Sequence, residues 1–317
     1  MTNWKKANKK DLRKKPSESS KTFSNGNETA VPNDSGKSKR ETPKKFTTSN
    51  STVAKFQTEK ELYFYLVAIA YDGSNFAGWA KQPWQFTAQG YIEKVLNKIF
   101  KSPISQQKIS ILAASRTDKG VHALDQKFTF RLPFFLACQQ LKQILAKSLQ
   151  KYILVKSVHQ VKKTFHPIKS VSRKEYRYYI NVGKGNFFAK KYCWEYNFPL
   201  ATKKLNNILV IFQGRHDFFN FSFCRQKDQA KTTTERTIEK IRCWKKEELL
   251  IISIVARSFL RYQIRAMIGE SIKCYEKKQV LEKLKEKLTS PEKKNLKYQT
   301  LAPAGGLYLY KIIYQQS

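Results

Sequence analysis

The chain has 317 residues, of which 41% are hydrophobic, enough for one large folded domain or two smaller ones. Lys and Arg (61) far outnumber Asp and Glu (24), and the formal net charge of +37 indicates a polyanionic partner, nucleic acid first; a lysine-rich composition inherited from an AT-rich genome is the alternative. The five cysteines include no CxxC pair and the chain has only four histidines, so neither a zinc site nor a disulfide framework is recognisable. No apolar run reaches the length of a membrane span. We therefore expect a soluble protein of the reducing cytoplasm.

Residues 1–58 are rich in Lys, Ser, Thr and Asn and lack apolar periodicity, which predicts a disordered extension. They hold 14 basic and 5 acidic side chains, a net charge of +9, which leaves +28 of the total on residues 59–317. The predicted folded part is therefore basic in its own right. The extension is either an electrostatic arm that raises the encounter rate with RNA or a dispensable segment.

Hydrophobic patterning predicts alternating strands and helices beyond the extension. Strands are expected at residues 62–71, 108–114, 128–132, 153–161, 175–182, 249–255 and 306–314, and helices at 87–100, 136–151, 199–213, 259–275 and 279–288. This order of elements predicts an α+β fold in which two halves, residues 59–166 and 167–317, share a mostly antiparallel sheet flanked by helices.

A polar loop between two predicted strands, residues 113–123, carries a single acid, Asp118. Its near neighbours along the chain are Arg116, Lys119 and His122, so we expect cations to hold the carboxylate ionised and oriented. Since sheet elements flank the loop, a rigid scaffold would fix its position. The alternative is a surface turn in which the Asp side chain bonds its own backbone ahead of a glycine.

Three arginines, Arg257, Arg261 and Arg265, follow the apolar strand at four-residue steps, and we expect them on one face of the next helix. Such a row suits phosphate contacts or a bidentate bond to a carboxylate, whereas a solvated helix face is the alternative. Arg265 lies deepest in the apolar pattern. We therefore predict that it is partly buried and paired with an acid.

Two further segments have a distinctive pattern. In the predicted strand at residues 174–180, aromatic and charged residues alternate, so that Tyr176 and Tyr178 share one face and could stack on an unpaired base; ordinary packing on a sheet is the alternative. Residues 71–82 contain glycines and aromatic residues that indicate a shaped loop. No P-loop, GxGxxG, HExxH or GxSxG motif occurs, and we expect neither a metal nor another cofactor.

Together these segments resemble the bacterial tRNA pseudouridine synthase A family over roughly residues 61–314, in the right order. Five stretches carry the resemblance; the family's own motif is given in brackets after each. They are Tyr71-Asp72-Gly73 with Phe76–Trp79 (YDG and GW), residues 116–123 (RTDAGVHA), Thr164–His166 with Lys174–Tyr178 (FHAR and RYRY), residues 257–269 (FxxxMVRxxVG) and residues 302–309 (APAxGLYL). Only the N-terminal extension lies outside it.

The resemblance implies the pseudouridine synthase fold, with two ferredoxin-like or RRM-like halves, and isomerisation of uridine to pseudouridine at positions 38, 39 and 40 of the tRNA anticodon stem-loop. It places the essential carboxylate at Asp118 and the other catalytic side chains at Tyr176 and Arg265, which would pair with Asp118. It also implies a homodimer that binds tRNA. A DNA-binding regulator is a further alternative, but no helix-turn-helix or zinc-finger pattern occurs, so we expect no DNA partner, and the lack of a membrane-length apolar run predicts no membrane partner. The expected substrate contacts are Tyr176, Arg116, His122, Lys119, Arg257 and Arg261, where Arg116 and His122 either contact phosphates or structure the loop.

The chain departs from the family pattern at four of these positions. Ser115 stands where the family usually has glycine, Lys119 replaces a small residue, Ala80 occupies the last position of GWQ, and Ile168 replaces the arginine of FHAR. The loss of that arginine removes one expected RNA contact. The alternative function is a catalytically inactive RNA-binding or assembly protein of the same fold, against which the retained catalytic set argues.

Overall fold

The computed structural model describes residues 61–100, 108–183, 190–223, 233–277, 281–289 and 300–315. The predicted disordered extension, residues 1–58, lies outside them. Ten strands and five α-helices occur in this part of the chain. They are β1 (Tyr63–Tyr71), α1 (Ala88–Ile99), β2 (Leu112–Ala113), β3 (His122–Leu132), α2 (Cys138–Leu149), β4 (Ile153–Val161), β5 (Val171–Asn181), β6 (Trp194–Glu195), α3 (Thr202–Leu209), β7 (Gly214–Asp217), β8 (Glu235–Lys246), β9 (Leu249–Ala256), α4 (Gln263–Glu276), α5 (Leu281–Thr289) and β10 (Leu307–Tyr314).

All ten strands belong to one sheet, with the order β4-β1-β3-β10-β5-β9-β8-β7; β2 pairs with β3 and β6 with β5. Only the β10–β3 and β6–β5 pairs are parallel. The predicted α+β class with a mostly antiparallel sheet is confirmed. The boundary between the two halves at residue 166 stays a prediction.

Strand β10 comes last in the chain and lies at the centre of the sheet. Leu309 pairs with Ala123 of β3 on one side and with Tyr176 of β5 on the other. Because β3 follows the Asp118 loop directly, this pairing places the loop beside the strand that carries Tyr176.

Side-chain periodicity explains the core around these strands. Tyr65, Val67 and Ile69 alternate along β1 and are fully buried, as expected for one face of a strand. In α1, Ile92 and Leu96 are one helical turn apart and join the same hydrophobic core. The helix begins there because the Thr87 hydroxyl, at the N-cap, accepts a hydrogen bond from the backbone of the first turn.

The sheet differs from the sequence prediction chiefly in four strands. The predicted strand at 108–114 is reduced to Leu112–Ala113, and the sequence pattern predicts none of β6, β7 and β8. In β8 only Ile238 and Ile241 are buried, and most other side chains are polar or charged. Such a strand lacks the regular apolar alternation by which strands are recognised in a sequence.

The predicted placement of the three arginines on one helix face is wrong. Helix α4 begins at Gln263, not at 259, because Tyr262 has a left-handed backbone (φ 63°) that cannot continue into a right-handed helix. Arg257 and Arg261 therefore lie in the segment between β9 and α4, and only Arg265 is helical. The Gln263 side chain, which is fully buried, fixes this start by accepting a hydrogen bond from Leu260 N at 2.8 Å.

Candidate active site

The Asp118 loop is held in place by the shaped loop at residues 71–82. Trp79 N donates a hydrogen bond to Thr117 O (3.0 Å), and the hydroxyl groups of Tyr71 and Thr117 are hydrogen-bonded at 2.7 Å. Within the loop, Val121 N donates to Asp118 O (3.1 Å), which closes a turn. Both the backbone and the side chain of Thr117, the residue before Asp118, are thus fixed by the shaped loop.

Two glycines allow this close approach. A Cβ atom on Gly73 would lie 2.1 Å from Val121 O, and one on Gly78 would lie 3.1 Å from Thr117 O. Gly78 also has a φ of +111°, which side-chain-bearing residues rarely adopt. Glycine is therefore required at both places for the loop to sit where it does.

The Asp118 carboxylate is partly buried, with 22% of the side chain exposed, and Arg261 Nε lies 3.8 Å from its Oδ1. Burial raises the pKa of Asp118, and the charges of Arg265 and Arg261 lower it, but burial outweighs them. The cations that act on the acid come from the far end of the chain. The expectation that its sequence neighbours Arg116, Lys119 and His122 hold it ionised is therefore wrong.

Arg265 is half-buried and is positioned by the segment before β10. Its Nε donates to Ala302 O (2.7 Å), and Ala302 N donates to Arg265 O (3.0 Å). This corrects the predicted direct pairing. Among the described residues, the ion pair within 4 Å of Asp118 is that of Arg261, whereas Arg265 is committed to a carbonyl and acts on Asp118 through its charge.

Tyr262 holds the two arginines together. Its ring centroid lies 4.8 Å from the guanidinium carbon of Arg261 and 5.6 Å from that of Arg265, and Arg261 Nη2 donates to its hydroxyl at 3.0 Å. Phe223 faces Arg261 from another side, at 5.2 Å. Such cation–π contacts orient guanidinium groups without neutralising them. Sequence reasoning missed Tyr262, whose only signal is an aromatic residue next to an arginine.

Tyr176 lies beside the loop and is buried. Its hydroxyl is hydrogen-bonded to Ser115 Oγ at 3.0 Å, and its ring packs edge-on against Phe259 at 5.2 Å. Burial and, to a smaller extent, the charge of Asp118 together raise the pKa of Tyr176 to about 12, although the hydrogen bond with Ser115 lowers it. Asp118, Arg261, Arg265 and Tyr176 therefore form one electrostatically coupled cluster.

Comparisons with known proteins identify the family of this chain. A family model described as tRNA pseudouridine synthase matches residues 208–315. The chain is 36% identical to tRNA pseudouridine synthase A of Mesoplasma florum over 258 residues, 80% of this chain and 100% of that protein. The chain belongs to this family. It is also 37% identical to tRNA pseudouridine synthase A of Dictyoglomus thermophilum (78% of this chain, 98% of that protein) and 34% to that of Malacoplasma penetrans (79% and 99%).

As a member of the tRNA pseudouridine synthase family, the protein is an isomerase that acts on uridine in tRNA. The region matched by the family model contains the three arginines, and the longer matches cover about four fifths of the chain. No group of His, Cys, Asp and Glu in the described part of the chain has the arrangement of a metal site. None of its helices there is long and apolar enough to cross a membrane.

The other predicted contact residues divide into exposed and buried ones. Arg116, Lys119 and Arg257 are exposed, and Arg257 Nη2 donates to Lys169 O at 3.3 Å. His122 is only 2% exposed. Its Nδ1 accepts a hydrogen bond from Gly73 N, 3.1 Å, and lies equally close to the Asp72 carboxylate, while its Nε2 lies 3.0 Å from Lys191 O. His122 thus structures the loop, and the predicted contact of His122 with the substrate is corrected, because the side chain is buried.

Proposed function

We propose that this enzyme forms pseudouridine at positions 38, 39 and 40 in the anticodon stem-loop of tRNA, with Asp118 as the catalytic carboxylate. One observation carries the proposal: a partly buried acid lies on a clamped loop, 3.8 Å from Arg261 and beside the buried Tyr176. The stem-loop positions come from the resemblance to the bacterial family. Supporting the choice of tRNA is the charge of +28 outside the N-terminal extension.

The reaction breaks the N1–C1′ bond of a uridine, rotates the uracil and rejoins it through C5. A nucleotide inside a folded RNA must first leave its stack, because no side chain can reach the sugar otherwise. Asp118 then acts either as a nucleophile toward the sugar or uracil or as a base at C2′. The positive charges of Arg261 and Arg265 offset part of the cost of ionising it in a partly buried place.

Tyr176 and Arg265 serve the uracil in this proposal. Tyr176 stacks on the base and takes the proton that leaves C5, since its hydroxyl lies on the loop side of β5. Arg265, whose Nε is fixed by Ala302 O, acts on the carboxylate through its charge and helps to fill the space that the flipped base leaves.

The exposed cations around the loop would contact phosphates. Arg116 and Lys119 flank Asp118, and Arg261 has more than half of its side chain exposed. Arg257 donates to the carbonyl next to Ile168, so it would supply a cation near the place where the family has an arginine.

We also propose that the protein is a homodimer in the cytoplasm. Light scattering on the purified protein measures its mass in solution and so tests the homodimer.

Mapping pseudouridines in cellular tRNA tests the proposal. Carbodiimide treatment and primer extension, with and without the gene, should show stops at positions 38–40 that disappear on deletion. Re-expression of the wild-type chain should restore them, whereas Asp118→Asn at equal protein level should not. Unchanged stops after deletion would contradict the assigned positions, and restoration by Asp118→Asn would contradict the assigned carboxylate. A wild-type chain that restores nothing would favour the inactive RNA-binding alternative.

A further inference from the structure

Lys174 is a buried lysine that the mechanism so far does not use. It lies on β5, is 6% exposed, and directs its Nζ to Ala114 O at 2.7 Å and to Ser115 Oγ at 3.4 Å. No carboxylate among the residues that the structure describes lies within ion-pair distance of it. A buried ammonium without an acid is costly, and lysines placed in this way commonly handle protons.

Ser115 connects this lysine to the active site. Its Oγ lies 3.4 Å from Lys174 Nζ and 3.0 Å from the Tyr176 hydroxyl, which makes a continuous chain of three polar groups. The backbone around it is fixed, because Gln126 Nε2 donates to Ser115 O at 2.8 Å. A glycine, usual for the family at this position, has no hydroxyl, so the connection depends on the Ser115 side chain of this protein.

We propose that Lys174 receives, through Ser115, the proton that Tyr176 takes from C5 of the uracil. This rests on the function proposed above. The C5–H bond breaks and its electron pair returns to the uracil ring. The proton binds the Tyr176 oxygen while the phenol proton moves to Ser115 Oγ and the serine proton to the neutral amine of Lys174. The resulting ammonium loses a proton to solvent before the next turnover, which balances the step.

Tyr176 needs such a proton acceptor. With a pKa of about 12, only about one molecule in 10⁵ has a Tyr176 phenolate at pH 7. Burial lowers the pKa of Lys174 to about 8, so about a tenth of the molecules have a neutral Lys174 amine at that pH. The concerted chain lets the phenol accept a proton without first becoming a free anion. The rate should therefore rise with pH through about 8, as the amine becomes neutral.

The groups that face this chain from each neighbouring element are known. Asp118 of the loop raises the pKa of Tyr176, Tyr176 in turn raises that of Tyr71 of β1, and Arg265 and Arg261 lower that of Asp118. On the strands beside Lys174, its partners Ala256 of β9 and Ile312 of β10 do not ionise. Burial is the cause of the lowered pKa of Lys174.

Single-turnover tritium release from tRNA labelled at uracil C5, measured from pH 6 to 9, tests the relay with Ser115→Gly. The wild-type rate should rise with an inflection near pH 8. In Ser115→Gly the inflection should disappear, the rate at pH 8 should fall at least about tenfold, and the Kd for tRNA should stay unchanged. Ser253→Ala is the matched control, because Ser253 is a buried serine on β9 whose hydroxyl bonds Glu175. It should keep the wild-type profile.

Lys174→Arg separates a relay from a structural role. Arginine keeps the donors for Ala114 O and Ser115 Oγ but cannot give up a proton, so the inflection should also disappear while the melting temperature stays near that of the wild type. If Lys174→Arg does not fold, Ser115→Gly still decides. The relay is overturned if the inflection persists in Ser115→Gly, whatever the size of the reaction rate, or if the inflection is missing from the wild type. Failure of the proposed function is distinct, since the wild type would then release no tritium at all.

Discussion

The two sides of the active site are held by different forces. The loop of Asp118 is fixed by backbone hydrogen bonds and by glycines that let two chain segments touch. On the arginine side, residues 257–265, the buried Gln263 side chain holds the backbone, and the guanidinium groups are oriented by side-chain contacts around Tyr262, a residue in the left-handed region. The position of the acid is therefore set by the backbone beside the sheet. The positions of the guanidinium groups depend on a few side-chain contacts, which can be altered one at a time.

The largest effect should come from the backbone clamp on the acid side. In Gly73→Ala the new Cβ would meet Val121 O at 2.1 Å, so the loop must shift, which destabilises the protein by about 2–3 kcal/mol and abolishes pseudouridine formation. Urea unfolding and tritium release measure both effects. Ser74→Ala, on the exposed part of the same turn, is the control. A Gly73→Ala protein with wild-type stability would show that the clamp is not tight.

A smaller but severe effect is expected from Arg265→Lys. A lysine keeps the charge near Asp118 but has neither the planar fork nor the Nε that donates to Ala302 O, so kcat/KM should fall by about 10²-fold with the fold intact. The matched control is Arg173→Lys, since Arg173 is exposed and makes a 3.8 Å pair with Glu239. Equal activity in both variants would indicate that charge alone suffices at 265.

Tyr262 should matter moderately and through its ring. Tyr262→Leu removes the face that both guanidinium groups contact, and kcat/KM should fall by about fivefold, which corresponds to about 1 kcal/mol. Tyr262→Phe keeps the ring and loses only the bond from Arg261, so it should stay close to the wild type. If the two variants behave alike, cation–π contacts do not order the arginine side.

The pH dependence should show the smaller electrostatic effect of Arg261. Burial raises the pKa of Asp118, so activity that needs the carboxylate is lost as pH falls through this raised value. Arg261→Gln removes one of the two charges that lower the pKa, and the acid limb of kcat/KM should move to higher pH. Lys240→Gln on β8 leaves Asp118 untouched in this account and should not move it. A limb that stays in place, or moves to lower pH, would contradict the coupling.

The sequence also predicts the two sides of the active site unequally, the acid side better than the arginine side. The Asp118 loop is a contiguous motif between patterned strands, so both its position and its importance are readable from local sequence. The positions of the arginines depend on where α4 begins. The left-handed backbone of Tyr262 decides that start, and no local sequence pattern predicts a left-handed residue there. The helical spacing of the arginines was therefore misleading.

Long-range contacts were the other limit. Ser115 and Lys174 are 59 residues apart, and their contact follows only from the insertion of β10 between β3 and β5. Arg261 rather than Arg265 lies within 4 Å of Asp118, and Arg265 Nε donates to Ala302 O instead. Strand β1, by contrast, is a run of consecutive apolar and aromatic residues, and this run predicts the strand to within one residue of its start.

The role of Asp118 is tested most directly by tritium release from C5-labelled tRNA with purified Asp118→Asn. The asparagine amide has the same shape as the carboxylate but no charge. Because the pKa of Asp118 is raised in the folded state, its ionisation lowers the stability of the wild type as pH rises. The variant should therefore melt no lower than the wild type at pH 7. We predict no release, a Kd for tRNA within about threefold of the wild type, and full activity in Glu239→Gln, the same change on exposed β8. Near-wild-type turnover by Asp118→Asn would contradict the account.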